Sequence, residues 1–243
     1  MRSTQLRLEH YDSDKIDNRY LEQYDAMLGP WVEQKIHLLE LGVHRGESLL
    51  LWRDYFPLAK IVGIDIKLPQ GFGPFDRIEL FEGSQADVGF LSRVAENVAP
   101  DGFDIIIDDA SHFGELTKVS FWHLFDKHLK PGGLYVIEDW GTGYWDDWSD
   151  GKSLDLQSYL RPRLSRHPLL LRIARRLRLK FPMPCHRHGM VGFIKQLIDE
   201  QGAHDVTRKQ LKGQSKRPSK FESLTIVPSL VFVKKANPPS NIE

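Results

Sequence analysis

The sequence predicts an α/β fold, doubly wound and Rossmann-like, around a seven-stranded, mostly parallel sheet with an antiparallel C-terminal hairpin strand. Three observations carry that expectation. Short apolar runs alternate five times with segments of helical periodicity. Three of the strongest runs end in an acid (Glu40 just inside the end, Asp65, Asp108), at the strand end beyond which such sheets bind ligands. The chain closes on two strand-like runs joined by Pro228-Ser229, a hairpin pattern with one antiparallel edge strand.

The elements follow in order. Arg7 to Val32 reads as helical, with Leu21, Tyr24, Leu28 and Trp31 spaced by three and four. Ile36 to Leu41 is a short apolar run before Gly42, as a buried parallel strand requires. A helix is expected over Ser48 to Asp54, then strands over Lys60 to Asp65 and Ile78 to Glu82, and a helix over Val88 to Val98. Phe103 to Asp108 is the most strand-like segment of the chain. Leu116 to Leu129 is a helix that Lys130-Pro131-Gly132-Gly133 would stop. Leu134 to Glu138 is a fifth strand, Met190 to Gln201 a helix, and Phe221 to Val227 with Leu230 to Lys235 the hairpin. We expect one domain over 1–243, with an N-terminal helical segment 1–33 and a lid-like insertion at about 141–188.

Composition narrows the class. With 243 residues, 41% hydrophobic and 27% charged, the chain can bury a core without crosslinks. No apolar run approaches the ~18–20 residues of a membrane span, and the first residues lack the apolar stretch of an export signal. The single cysteine, Cys185, forms no internal disulfide. Together these point to the cytoplasm. Lys plus Arg equals Asp plus Glu at 33 each, so overall charge offers nothing to nucleic acid.

The first strand continues as Glu40-Leu41-Gly42-Val43-His44-Arg45-Gly46-Glu47-Ser48. Gly42 and Gly46 permit a tight turn and a close backbone approach. The spacing E-x-G-x-x-x-G differs from the G-x-G-x-x-G that seats a pyrophosphate. Glu40 before the turn would repel a pyrophosphate and attract an ammonium. S-adenosylmethionine (SAM) carries an α-amino group and a sulfonium and no phosphate. Asp65, nineteen positions after Gly46, is placed to accept ribose hydroxyls. Ser84-Gln85 would lie at the adenine edge, Asp108 would complete the cofactor wall with Ser48, and Arg45 and Lys67 would either reach a cofactor carboxylate or be surface charges. A glycine turn alone is weak evidence; the three strand-end acids strengthen it.

Asp108-Asp109-Ala110-Ser111-His112 follows the fourth strand and Glu138-Asp139-Trp140 the fifth. Neighbouring strand ends lie about 5 Å apart. Asp109, Glu138 and Asp139 are therefore expected to converge, and like charges at that distance call for a cation. All-oxygen ligands favour Mg²⁺, with Mn²⁺ the alternative. His112, three residues beyond Asp109, is the candidate general base. A histidine after a strand is often only a loop hydrogen-bonder, and strand-end acids are often helix N-caps.

"LELGVHRGESLLLW", "IIIDDASH" and "LKPGGLYVIEDW" resemble the class I methyltransferases that modify sugar hydroxyls of macrolide and related antibiotics, and equally their relatives called cephalosporin hydroxylases. "YDSDKIDNRYLEQYDAML" and "HGMVGFIKQLIDE" extend the resemblance over most of 8–145 and 188–235. It implies SAM as methyl donor, Mg²⁺ held by Asp109, Glu138 and Asp139, and His112 as base at a hydroxylated small-molecule acceptor, a sugar or natural-product diol. Two rival functions remain. An oxidative enzyme is disfavoured because the 2-His-1-carboxylate pattern of nonheme iron is missing. A non-catalytic SAM-binding scaffold is disfavoured by the full set of carboxylates and His112.

Residues 138–155 hold six acids and one lysine, and 159–180 eight bases and no acid. Leu170, Ile173, Ala174 and Leu177 share a helical face there, with Arg172, Arg175, Arg176 and Arg178 elsewhere. Such a segment (160–180) can touch an anionic membrane, but a solvated lid is favoured. Trp140, Tyr144, Trp145 and Trp148 would form either an aromatic wall for the acceptor or core. Cys185-His186-Arg187-His188 lacks the second ligand cluster a zinc site needs. The oligomeric state is left open, a homo-oligomer included.

Overall fold

The computed structural model describes residues 1–154, 169, 172, 173, 176, 185–208 and 215–238. Its centre is a sheet of β1 (His37–Leu41), β2 (Lys60–Asp65), β3 (Ile78–Glu82), β4 (Phe103–Asp108), β5 (Leu129–Glu138), β6 (Phe221–Ile226) and β7 (Leu230–Lys235), in the order β3-β2-β1-β4-β5-β7-β6. β1 to β5 pair in parallel; β7 runs antiparallel to β5 and to β6. The antiparallel strand is therefore not at the edge, as expected, but one position in. β6 returns parallel to the main sheet and takes the edge, because the hairpin inserts its second strand against the buried β5.

Alternation divides the core. Leu39, Leu41, Val62, Ile64, Ile106, Tyr135 and Ile137 point to one face. There they meet α4 (Val88–Val98), α5 (Gly114–Lys127) and α7 (Gly189–Gln201). Leu38, Ile61, Ile105, Ile107, Leu134 and Val136 point to the other and meet α2 (Tyr20–Leu28) and α3 (Glu47–Tyr55). Burial on both faces explains why these strands read as unbroken apolar runs. Shorter helices are α1 (Asp14–Asp17), α6 (Ser149–Leu154) and α8 (Ala203–Val206), with 3₁₀ turns between elements.

Two further expectations are corrected. The single helix over Arg7 to Val32 is broken into 3₁₀ turns, α1 and α2, because Arg19 adopts a left-handed φ of 60°. The break lets two short helices send side chains to the same strand ends. The helix expected to reach Leu129 stops at Lys127, and Leu129 to Gly133 joins β5, where Leu129 pairs with Phe103. Most of the basic segment, with Leu170, Ala174, Leu177, Arg175 and Arg178, lies outside the described residues. Among the described residues no helix is long and apolar enough to cross a membrane.

The order reverses at β1, whose successors β2 and β4 lie on either side of it. A crevice opens beyond the strand ends at such a point.

Candidate active site

Gly42 follows β1 with φ 93°, and a Cβ there would run into the backbone carbonyl of Asp109. The loops after β1 and β4 are thus pressed together. Asp65 fastens the first of them: its Oδ2 accepts the N–H groups of Val43 at 2.7 Å and His44 at 3.0 Å, and its Oδ1 that of Lys67 at 3.0 Å. Burial alone would raise its pKa, but these backbone donors outweigh it and hold the carboxyl below its ordinary value.

Behind the loops lies a buried ionic knot. Lys15 of α1 is fully buried, with Nζ 3.3 Å from Glu40 Oε1, 2.5 Å from Asp109 Oδ2 and 3.0 Å from Glu138 Oε1. Glu40 also accepts from Ser48 Oγ at 2.8 Å and Trp52 Nε1 at 3.1 Å. Tyr24 donates its hydroxyl to Glu138 at 2.5 Å, and Tyr20 donates to Asp139 Oδ1. Burial would drive the lysine neutral, but the three carboxylates reverse that and keep it protonated. Burial, and then Asp109, push Glu138 well above the usual carboxylate range. Burial likewise raises Asp139 and Glu40.

On the cleft side, His112 Nε2 lies 3.7 Å from Asp109 Oδ1 and 4.0 Å from Asp139 Oδ2. One ligand atom from each of these three side chains falls within 4.8 Å of the others. This oxygen-rich set with one imidazole suits Mg²⁺ or Mn²⁺. A second such group, Glu40, Asp109 and Glu138, surrounds the Lys15 ammonium. Of the three acids expected to share a metal, Asp109 and Asp139 meet with His112, while Glu138 sits deeper with its oxygens on Lys15 and Tyr24. The ring of Trp148 stands edge-on to His112 at 5.2 Å.

The cleft, about 1020 Å³, is lined in part by Gly42, Arg45, Ser48, Asp65, Asp109 and His112, and by Trp148. Glu40, Gln85, Asp108 and Glu138 are buried and do not line it. Gln85 instead accepts from Ser111 N–H at 3.1 Å and donates to Asp108 Oδ1 at 3.3 Å. Asp108 also accepts from Ser120 and Tyr135, so both belong to a polar brace under the β4 loop. Ser84 accepts from Ala86 N–H, and Arg45 pairs with Asp12 at 2.7 Å on the rim. Trp140 donates to the Val227 carbonyl and packs on the core; Trp145 is exposed.

The sequence reading missed Lys15, Tyr20 and Tyr24 as site residues. It also missed Ser13, whose buried Oγ has no hydrogen-bond partner on the cleft wall. The only local sign was Tyr24 on the apolar face of its helix.

No family model matches the chain. It is 39% identical over 133 residues to mycinamicin VI 2''-O-methyltransferase of Micromonospora griseorubida, covering 52% of this chain and 32% of that protein. It is 28% identical over 240 residues to 8-demethyl-8-alpha-L-rhamnosyl tetracenomycin-C 2'-O-methyltransferase of Streptomyces olivaceus, covering 95% of this chain and 53% of that one. Among solved structures, MycE methyltransferase of the mycinamycin biosynthetic pathway, in complex with Mg, SAH and mycinamycin VI, superposes with a TM-score of 0.62 at 29% identity, over 90% of this chain and 50% of MycE. The chain thus spans about a third to a half of the length of these relatives. By sequence and by fold, the chain is similar to these O-methyltransferases.

Proposed function

We propose that this chain carries the cofactor and metal sites of a SAM-dependent O-methyltransferase acting on a hydroxyl of a small molecule, a sugar or natural-product diol. The observation that carries the reading is the convergence of Asp109, His112 and Asp139 beside the cleft at the β1–β4 switch point, which Asp109 and His112 line. Kinship with proteins named for sugar O-methylation supports it. SAM would supply the methyl group from the side of Gly42, Ser48 and Asp65. Asp109 and Asp139 would hold a divalent cation, which lends an acceptor hydroxyl greater acidity and a fixed position.

The chain's own groups do the rest. The Asp65-braced loop keeps the Gly42 backbone open to the cofactor. The hydroxyl oxygen of the acceptor forms the new O–C bond as the C–S bond of the donor breaks, leaving a neutral thioether. The hydroxyl proton passes to His112 Nε2 and from there to solvent. Asp109 Oδ1 faces that nitrogen at 3.7 Å. Ser13 Oγ, buried and unpaired on the cleft wall, is a donor available to the bound ligand. The intact carboxylates disfavour a scaffold without activity.

The test is transfer of labelled methyl from SAM to glycosylated natural-product acceptors, with Mg²⁺ or with chelator, by wild type and His112→Ala. We expect transfer only with Mg²⁺, and a loss of about a hundredfold or more in His112→Ala with Mg²⁺ affinity retained. Full activity in the variant would remove His112 as base. Lost Mg²⁺ affinity would make it a ligand instead.

A further inference from the structure

Lys15 is an unusual feature of the cleft's floor. A fully buried ammonium is costly unless its partners replace the lost water. Here three carboxylates do so, one from each of three adjacent strand ends: Glu40 in β1, Asp109 just past β4, and Glu138 closing β5. Each acid has a second anchor or face. Glu40 is held by Ser48 and Trp52, and Glu138 by Tyr24. Asp109 is divided: Oδ2 takes the ammonium, and Oδ1 turns to the cleft beside His112 and Asp139. One carboxylate therefore serves two cation positions, an inner one filled by the chain and an outer one open to the cleft.

We propose that Lys15 is a built-in cation that presets the metal site. It holds Asp109 and Glu138 in place without metal, and its charge weakens divalent binding so that the outer cation exchanges rather than becoming part of the fold. The inference rests on the metal reading above. An ammonium a few ångströms from a divalent cation repels it even through a partly shielded interior. An ion pair with only a packing role would leave cation affinity alone.

The experiment is calorimetric titration of the wild-type chain, Lys15→Met and Lys15→Met/Glu40→Gln with MgCl₂ alone, with thermal midpoints taken with and without Mg²⁺. Lys15→Met should bind Mg²⁺ about tenfold or more tightly than wild type. Its midpoint should fall without Mg²⁺ and recover with it. The double variant, which removes one negative charge with the positive one, should return toward wild type in midpoint, as any buried ion pair would, and also in Mg²⁺ affinity, a rescue that a packing role would not give. If Lys15→Met does not fold, Lys15→Gln carries the same comparison. Affinity equal to or weaker than wild type in the single variant overturns the proposal. Binding by Lys15→Met but not by wild type would sustain Lys15 as the resident cation while removing metal from the proposed function. Failure of both chains to bind overturns both readings.

Discussion

His44, His112 and Asp139 hold φ angles of 49°, 49° and 53°, a left-handed conformation that costs a residue with a side chain roughly 1–3 kcal/mol. All three stand just beyond the strand ends that frame the cleft. The turn at His112 brings its ring back over Asp109, and the turn at Asp139 separates its carboxylate from that of Glu138. Asp108, one residue earlier, is tuned differently. Burial lifts its carboxyl from 3.8 to about 6, against the hydrogen bonds from Ser120 and Tyr135. A raised acid binds its proton more readily in the folded protein. Its favourable contribution is complete below pH 3.8 and is lost as pH rises through about 6, a change of at most about 3 kcal/mol. Asp108→Asn lacks this effect, so its stability relative to wild type should rise between pH 4 and pH 6. Urea unfolding at several pH values measures it, and a difference independent of pH would exclude Asp108 as the responsible group.

At the scale of elements, α5 and α7 are joined where they begin. Asp150 of α6, buried, accepts the N–H groups of Gly114 at 2.8 Å and Met190 at 2.6 Å through one oxygen. A carboxylate at two helix N-termini satisfies donors that would otherwise be buried unpaired. Gly114 and Gly189 leave the room, since a Cβ at either would collide with the neighbouring segment. Because α5 begins two residues after His112, this joint also fixes the loop that carries His112. Asp150→Ala should cost about 3 kcal/mol in urea unfolding; a loss under 1 kcal/mol would show that the joint contributes little. Nothing in the sequence around Asp150 announced it, because its partners lie 36 and 40 residues away. The same distance effect hid Lys15, Tyr20 and Tyr24, which reach across 94 to 123 residues to acids that were themselves plain to see. Those acids were legible because a parallel strand buried on both faces leaves an apolar run whose polar end is conspicuous. Local signals misled where pairing overrode them: Pro131-Gly132-Gly133 reads as a helix stop, yet it lies within β5.

At the scale of the whole molecule, the sheet is a platform whose switch point gathers the candidate site residues. β1 and β4 present the glycine turn and Asp109 on one line, β2 braces the turn through Asp65, and β5 adds Glu138 and Asp139. The two helical layers bury both faces, and the N-terminal helices close the floor with Lys15. We expect this crevice to bind SAM rather than a pyrophosphate-bearing dinucleotide, because Glu40, Gly42 and Gly46 replace the crowded glycines of the latter. Calorimetric titration of the purified chain with S-adenosylhomocysteine, with NAD as the comparison, tests it most directly. One-to-one micromolar binding of S-adenosylhomocysteine and none of NAD is expected. Binding of NAD alone, or of neither, would contradict it.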